Sequence, residues 1–172
     1  MFKKALILRA DAKNTKKMTD QAPLTEGHLL PEWSLLPIFN EPVPALADFA
    51  GRPLLILFFY NDCPACKGRA FPYANQIVLK YPEIQVIGIH TRFAGPEFDN
   101  EVLRSLKDEF HLRFPYYRDE EPAKTAWRYD AGGTPHWILV NAAGKVVKSL
   151  FGSDPNRGLY WMDLALEEMM GR

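Results

Sequence analysis

The sequence predicts an α/β fold in which helices cover both faces of a mixed central sheet. Two apolar runs, 54–60 and 84–90, are separated by a helix-like segment, and a hairpin pattern follows at 136–151. Because a strand that is apolar on both faces needs a layer above and below it, the two runs indicate the centre of a covered sheet. The intervening helix makes them parallel neighbours with a right-handed crossover.

The other elements follow from the spacing of apolar residues. A proline-rich lead-in contains one short strand near 33–39, and the segment 64–80 has helical periodicity. Pro72 should kink this helix, because proline lacks the N–H that an interior helical bond requires. Further segments are expected in the second half: helices at 98–110, 123–129 and 159–170, and strands at 114–117, 136–140 and 146–151.

Length and charge are those of one ordinary globular domain. The chain has 172 residues, enough for a single core, and we expect one domain over 23–172. Its 21 basic and 21 acidic residues balance, so nothing in the composition favours a nucleic acid partner. Residues 1–22 are basic, and we expect them to form a flexible arm.

The basic arm does not match a secretion signal. Four apolar residues, 5–8, lie between Lys4 and Arg9, whereas a signal peptide needs an apolar stretch of roughly 7–15 residues. The sequence also contains no apolar stretch long enough for membrane insertion. We therefore expect a cytoplasmic protein, and a cell-envelope location would require a leader that is missing from this sequence.

Both cysteines of the chain lie in one motif, Cys63-Pro64-Ala65-Cys66, directly after the first buried strand. The unpaired N–H groups of a helix start favour a thiolate over a thiol. In a reducing cytosol, such a pair is expected to be catalytic or metal-binding, not a structural disulfide. A zinc site needs four ligands, but the four histidines are scattered. We expect neither a metal nor an organic cofactor.

With these elements in place, the chain resembles the thioredoxin superfamily, and most closely the TlpA/ResA-type thiol-disulfide oxidoreductases. The resemblance covers about residues 31–170. It depends on Cys63-Pro64-Ala65-Cys66-Lys67 after a buried strand and on Gly132-Gly133-Thr134-Pro135 before a hairpin. It implies a thioredoxin-like fold with an extra helix inserted before a cis-proline loop. It also implies that Pro135 is cis and that the backbone of Thr134 pairs with an extended client chain.

The helix geometry assigns different tasks to the two cysteines. Cys63 lies at the exposed helix start and is the expected nucleophile, whereas Cys66, one turn later, should be more buried and resolve the mixed disulfide. The expected partners are client proteins that carry disulfides and a separate electron donor.

Several positions near the pair depart from the family pattern. Leu57 occupies the place of the buried aspartate that assists proton transfer in thioredoxins, and Asp62 replaces a common tryptophan. The charge of Asp62 opposes a thiolate, whereas Lys67 and Arg69 would favour one, unless both are simply solvated. His136, directly after the expected cis-proline, is a fourth candidate modulator, and its alternative is a partly satisfied strand-end histidine.

Two further positions bear on the site. The proline that usually follows the cysteine pair in this family comes one residue late, as Pro72. His90 ends a parallel strand, at the edge of the sheet where reactants gather. As with His136, the alternative for His90 is an ordinary strand-end histidine.

Two other functions stay open at this point. One is a peroxiredoxin-like thiol peroxidase, although Tyr60 stands where that chemistry needs threonine or serine, three residues before the nucleophile. The other is a non-catalytic thioredoxin-like module that senses redox state or binds a partner, since no acid-base residue is evident. The sequence favours a thiol-disulfide oxidoreductase over both.

Overall fold

A computed structural model describes residues 24–172, so the expected basic arm lies outside the described residues. Among these residues, six strands form one mixed sheet in the order β1-β4-β3-β2-β5-β6. The strands are β1 (Leu35–Leu36), β2 (Leu54–Phe59), β3 (Gln85–His90), β4 (Tyr116–Asp119), β5 (His136–Val140) and β6 (Val146–Phe151).

The strand β2 lies at the centre of this sheet, and every one of its residues is buried. It is parallel to β3 and antiparallel to β5. The prediction from the two apolar runs is therefore confirmed, including their parallel pairing. The hairpin β5–β6 is also confirmed, with the bounds that the sequence predicts.

In the described part of the chain, four α-helices pack on the sheet: α1 (Phe71–Lys80), α2 (Asn100–Glu109), α3 (Lys124–Arg128) and α4 (Gly158–Met170). Side chains of α1, α2 and α4 pack in one core cluster with Leu55, Leu57 and Phe59. Ala126 of α3 packs with Ile56 and Phe58 in a second cluster. Since alternate residues of β2 enter different clusters, helices cover both faces of the sheet, as predicted.

No helix in the described range is long and apolar enough to cross a membrane.

A wide helical turn precedes α1. Residues Cys66–Ala70 are π-helical, and the N–H of Phe71 donates to the carbonyl of Cys66, five residues back. Pro72 has no N–H to donate to the carbonyl of Gly68, as an α-helix would require. The helix predicted over 64–80 with a kink at Pro72 therefore contains a π-turn directly before α1.

The short strands differ from their predicted bounds because of neighbouring prolines. The strand expected at 33–39 consists only of Leu35–Leu36, since Pro37 has no N–H for the ladder. The strand expected at 114–117 begins two residues later, at Tyr116. Pro115 cannot donate, and it contributes only its carbonyl, which accepts from the N–H of Gly88 at 2.9 Å.

A buried carboxylate that the sequence did not reveal organises the end of β4. Asp119 is 2% exposed and accepts from the N–H groups of Thr125 (2.7 Å) and Ala126 (2.9 Å). Its second oxygen also accepts from the hydroxyl of Thr91 at 3.0 Å. Burial raises the pKa of Asp119, and the hydrogen bonds oppose that shift. Because the residue before α3 is Ala123, which has no polar side chain, Asp119 supplies the cap.

The substitution Gly88→Ala should destabilise the fold. A methyl group there would lie 2.9 Å from Cβ of Tyr116 and 3.0 Å from Cε1 of Phe59. Overpacking of this kind costs about 1–3 kcal/mol, measurable by urea denaturation. Gly68→Ala is the matched control, since no atom lies within 4 Å of the added methyl, and it should be neutral or stabilising. Equal unfolding midpoints for the two variants would contradict this account of the core.

Candidate active site

Strand pairing brings the two motif-bearing loops to one edge of the sheet. Phe58, near the end of β2, is paired with His136, the first residue of β5. The loop that leads to Cys63 and the loop that contains Thr134 therefore lie side by side. The sequence separates these two residues by about seventy positions, and the antiparallel pairing brings them into contact.

The sulfur of Cys63 lies between a helix start and the Thr134 loop. The N–H of Cys66 points at this sulfur at 3.2 Å, and the Cys63 thiol donates to the carbonyl of Thr134 at 3.5 Å. The N–H of Cys63 itself donates to the carbonyl of Tyr60 at 3.0 Å. A helix-start N–H aimed at a sulfur is the arrangement that stabilises negative charge on it.

Cys66 lies beneath Cys63 in the core. Its side chain is 0% exposed, whereas that of Cys63 is half-buried, and both are free thiols. Burial and, to a smaller extent, a hydrogen bond with Cys63 raise the pKa of the Cys66 thiol. The expected difference in exposure between the two cysteines is therefore confirmed. The structure thus places a partly accessible cysteine beside a fully shielded one.

A rigid frame holds the loop that faces the cysteines. The peptide bond between Thr134 and Pro135 is cis, as the family resemblance implies. The carbonyl of Pro135 accepts from the N–H of Gly152 at 2.7 Å, and the indole of Trp137 donates to the carbonyl of Gly152 at 2.9 Å. The hydroxyl of Ser153 then reaches the carbonyl of Ala65 at 3.4 Å. The segment after β6 thus ties the Pro135 loop to the residues between the cysteines.

The charged candidate modulators point in different directions. Asp62 is exposed. The ammonium of Lys67 lies over the ring of Phe110, 5.7 Å from its centroid, and Arg69 lines a surface groove beside α4. Within residues 24–172 no hydrogen bond joins Lys67 or Arg69 to either sulfur. The solvated-charge alternative therefore fits these two cations better than a direct role at the thiolate.

The structure corrects the expectation that His136 approaches the cysteines. His136 shares a face of β5 with Ile138 and Val140, which belong to the cluster under α3. Cys66 packs in the other cluster. The Nε2 atom of His136 is bonded to the hydroxyl of Ser149 at 2.8 Å, and burial lowers the pKa of His136 to about 4. His136 is adjacent to Pro135 in sequence, but its side chain lies across the sheet from the site.

His90 lies on the same face of the sheet as Cys66, inside an aromatic cage. The ring centroids of Phe59 and Tyr60 lie 5.4 and 5.5 Å from the imidazole, and the side chain is 2% exposed. Burial, with the nearby charges of Arg118 and Arg92, lowers the pKa of His90 to about 3. Its Nε2 atom is buried without a hydrogen-bond partner. This neutral, caged ring makes no hydrogen bond to either cysteine.

The sequence analysis missed the polar anchors around the loop that follows β3. Arg118 donates to the carbonyl of Phe98 and to the amide oxygen of Asn100. The hydroxyl of Tyr60 donates to the carbonyl of Pro96 at 2.7 Å. The available signal was the polar residues at the carboxyl ends of parallel strands, which meet at one edge of the sheet.

Within residues 24–172, no three His, Cys, Asp or Glu side chains gather as metal ligands would.

Comparison with solved structures establishes the fold. No family model matches the chain, and no curated protein matches its sequence. A thioredoxin-like superfamily protein is 26% identical with a TM-score of 0.71, covering 84% of this chain and 97% of that one. A thiol-disulfide isomerase from Corynebacterium glutamicum is also 26% identical, with a TM-score of 0.67 and coverage of 89% and 99%. A putative thiol:disulfide interchange protein DsbE from Chlorobium tepidum is 24% identical, with a TM-score of 0.68 and coverage of 83% and 97%. The chain has the thioredoxin-like fold, and the resemblance that its motifs indicate is confirmed.

The two buried histidines should make the protein less stable as the pH falls. The pKa values of His90 and His136, about 3 and about 4, lie below the ordinary value for histidine. Below about pH 6.5 the unfolded chain therefore binds protons that the folded chain excludes, and the loss of stability levels off near those folded pKa values. Each histidine contributes a slope of up to about 1.4 kcal/mol per pH unit.

The variant His90→Phe tests this interpretation, because a phenyl ring suits the cage of Phe59 and Tyr60. Between about pH 7 and about pH 5, the unfolding free energy of His90→Phe should fall less than that of the wild type, because the unfolded variant takes up one proton fewer. Urea denaturation at the two pH values gives the slope. If His90→Phe and the wild type lose the same unfolding free energy over this pH range, the imidazole of His90 binds a proton as readily in the folded protein as in the unfolded chain. That result would contradict this interpretation.

Proposed function

We propose that this protein is a thiol-disulfide oxidoreductase that exchanges electrons with protein disulfides through Cys63 and Cys66. The observation that carries the proposal is the position of the Cys63 sulfur, which belongs to a half-buried side chain, faces the N–H of Cys66 and lies 3.5 Å from the carbonyl of Thr134. The names of the similar structures, an isomerase and an interchange protein for thiols and disulfides, support the same reaction class.

The two cysteines act in sequence. The Cys63 thiolate attacks one sulfur of the client disulfide, forming a bond between Cys63 and the client while the second client sulfur leaves as a thiolate. Cys66 then attacks the sulfur of Cys63, which closes the Cys63–Cys66 disulfide and releases the first client sulfur. The client gains two electrons, and the protein is left oxidised until a separate dithiol donor reduces it. The reaction needs no metal or organic cofactor.

The Thr134 carbonyl gives the client a place to bind. Within residues 24–172, this oxygen accepts only the weak 3.5 Å hydrogen bond from Cys63. A backbone N–H of an extended client segment is a better donor, and its binding there would hold the adjacent client disulfide next to the attacking sulfur. The next residue, Pro135, is buried, and its own carbonyl accepts from the N–H of Gly152 at 2.7 Å, which anchors the loop on this side.

We also propose that the pair works in a reducing compartment such as the cytoplasm. The chain has two cysteines, and both are at the site instead of in a structural cross-link. This usage is typical of proteins in compartments that keep thiols reduced.

Single cysteine substitutions should separate the two steps. Cys63→Ser should abolish the reduction of insulin disulfides with dithiothreitol as donor, because no accessible nucleophile is left. Cys66→Ser keeps the nucleophile but removes the group that releases the client, so it should accumulate a mixed disulfide with insulin chains. Non-reducing electrophoresis with mass spectrometry identifies this adduct, and the two variants serve as controls for each other.

A peroxide assay tests the competing enzyme class on the same proteins. The proposal expects slow consumption of hydrogen peroxide and rapid reduction of insulin. The reverse result, with rapid peroxide consumption that Cys63→Ser abolishes, would assign the protein to the thiol peroxidases. A wild-type protein that is inactive in both assays would favour a non-catalytic module.

A further inference from the structure

The last helix, α4, carries apolar side chains on two opposite faces. Its inner face packs in the core through three buried residues, Leu159, Met162 and Leu166. Its outer face carries Tyr160, Trp161 and Leu164, which are 49%, 54% and 38% exposed. A helix that only borders solvent is expected to be polar on that face. Adjacent exposed apolar side chains instead mark a surface that another molecule covers.

The three outer residues are neighbours on the helix. The ring centroids of Tyr160 and Trp161 lie 5.5 Å apart. Leu164 follows Trp161 by three positions, which places the two side chains next to each other on the helix surface. The first two turns of α4 therefore present one apolar patch that stays accessible in the folded chain.

A residue of opposite charge lies at either end of this patch. Arg157 lies one turn before Trp161, and its carbonyl accepts from the N–H of Trp161 at 3.0 Å. Glu168 lies one turn after Leu164. Both charged side chains are exposed, and none of the ion pairs within residues 24–172 includes either of them. Positions 157, 161, 164 and 168 are four, three and four residues apart, which is the spacing of a seam between two packed helices.

We propose that this outer face of α4 binds the same face of a second copy of the chain, with the two helices antiparallel across a two-fold axis. The axis passes midway between Trp161 and Leu164, so Trp161 of each copy lies against Leu164 of the other. The same rotation places Arg157 opposite Glu168 of the partner subunit, and it does so twice. A parallel arrangement would place each of these charges against its own copy, which like-charge repulsion disfavours. The face is therefore complementary to itself in the antiparallel direction.

The proposed interface is small. With 13 residues, α4 spans about 20 Å, and a seam of that length buries less area than a standard protein–protein interface. We therefore expect a weak and reversible dimer. Because a two-fold contact uses the same patch on both copies, assembly stops at two chains. The inference does not depend on the redox reaction proposed above.

Analytical ultracentrifugation of the full-length protein over a concentration series measures the dissociation constant of the dimer. Dithiothreitol is present throughout, so that a disulfide between two copies of Cys63 cannot contribute. The test variants are Arg157→Glu, Glu168→Arg and the double variant that exchanges the two charges. Acidic residues at the start of a helix and basic residues at its end are favourable, so these changes do not weaken α4. Glu109→Arg is the matched control, since Glu109 is also an exposed carboxylate in the last turn of a helix.

Each single charge reversal should raise the dissociation constant about tenfold or more, because like charges then face each other twice in the dimer. The double variant should return the dissociation constant to near the wild-type value, and Glu109→Arg should leave it unchanged. Trp161→Ala should also raise it about tenfold or more, since buried aromatic residues at the centre of an interface contribute most of the binding energy. Leu79→Ala is the control for this loss, because it removes a leucine that is 64% exposed near the other end of α1.

Three results would overturn the inference. A wild-type protein that stays monomeric at every concentration would do so, and binding of that monomer to phosphatidylcholine vesicles would assign the face to a lipid surface instead. Failure of the double variant to dimerise would show that Arg157 and Glu168 do not face each other across a two-fold axis. A dissociation constant that Trp161→Ala leaves unchanged would place the interface elsewhere on the chain.

Discussion

The antiparallel pairing of β2 with β5 is the constraint on which the candidate site depends. It places Phe58 opposite His136, so the residues that follow β2 meet the residues that precede β5. A shift of this register by one residue would invert the faces of β5 and move Trp137 out of the cluster that contains Cys66. The contact between Cys63 and Thr134 is therefore secured by the packing of a whole strand, and not only by local loop structure.

Exposure, more than charge, distinguishes the two cysteines. Cys63 has a backbone N–H directed at its sulfur and access to solvent, whereas Cys66 is enclosed by the side chains of the core. Leu57 belongs to the same apolar cluster as Cys66, and a carboxylate at its position would have to be buried at a considerable cost. This difference leaves Cys63 as the sulfur that another molecule can reach and Cys66 as the shielded one.

Features that depend on local sequence were predictable, whereas those that depend on tertiary contacts were not. The bounds of β5 and β6 and the burial of β2 follow from apolar patterns within a few residues. The direction of His136 depends on which face of β5 meets α3, and that of Lys67 depends on the position of Phe110. The capping role of Asp119 likewise requires that α3 begin beside the end of β4. Neither periodicity nor motif spacing contains that information.

The late proline and the π-helical turn have a common physical explanation. The resemblance to the thioredoxin superfamily implies one additional residue between Cys66 and Pro72, and a regular α-helix would rotate everything after such a residue by about 100°. The π-turn accommodates this residue, because the carbonyl of Cys66 pairs with the N–H of Phe71 five positions later instead of four. Cys66 and Phe71 consequently both stay 0% exposed, while Gly68 and Arg69 are displaced to the surface. The π-turn next to the cysteine pair thus keeps Cys66 and Phe71 together in the core.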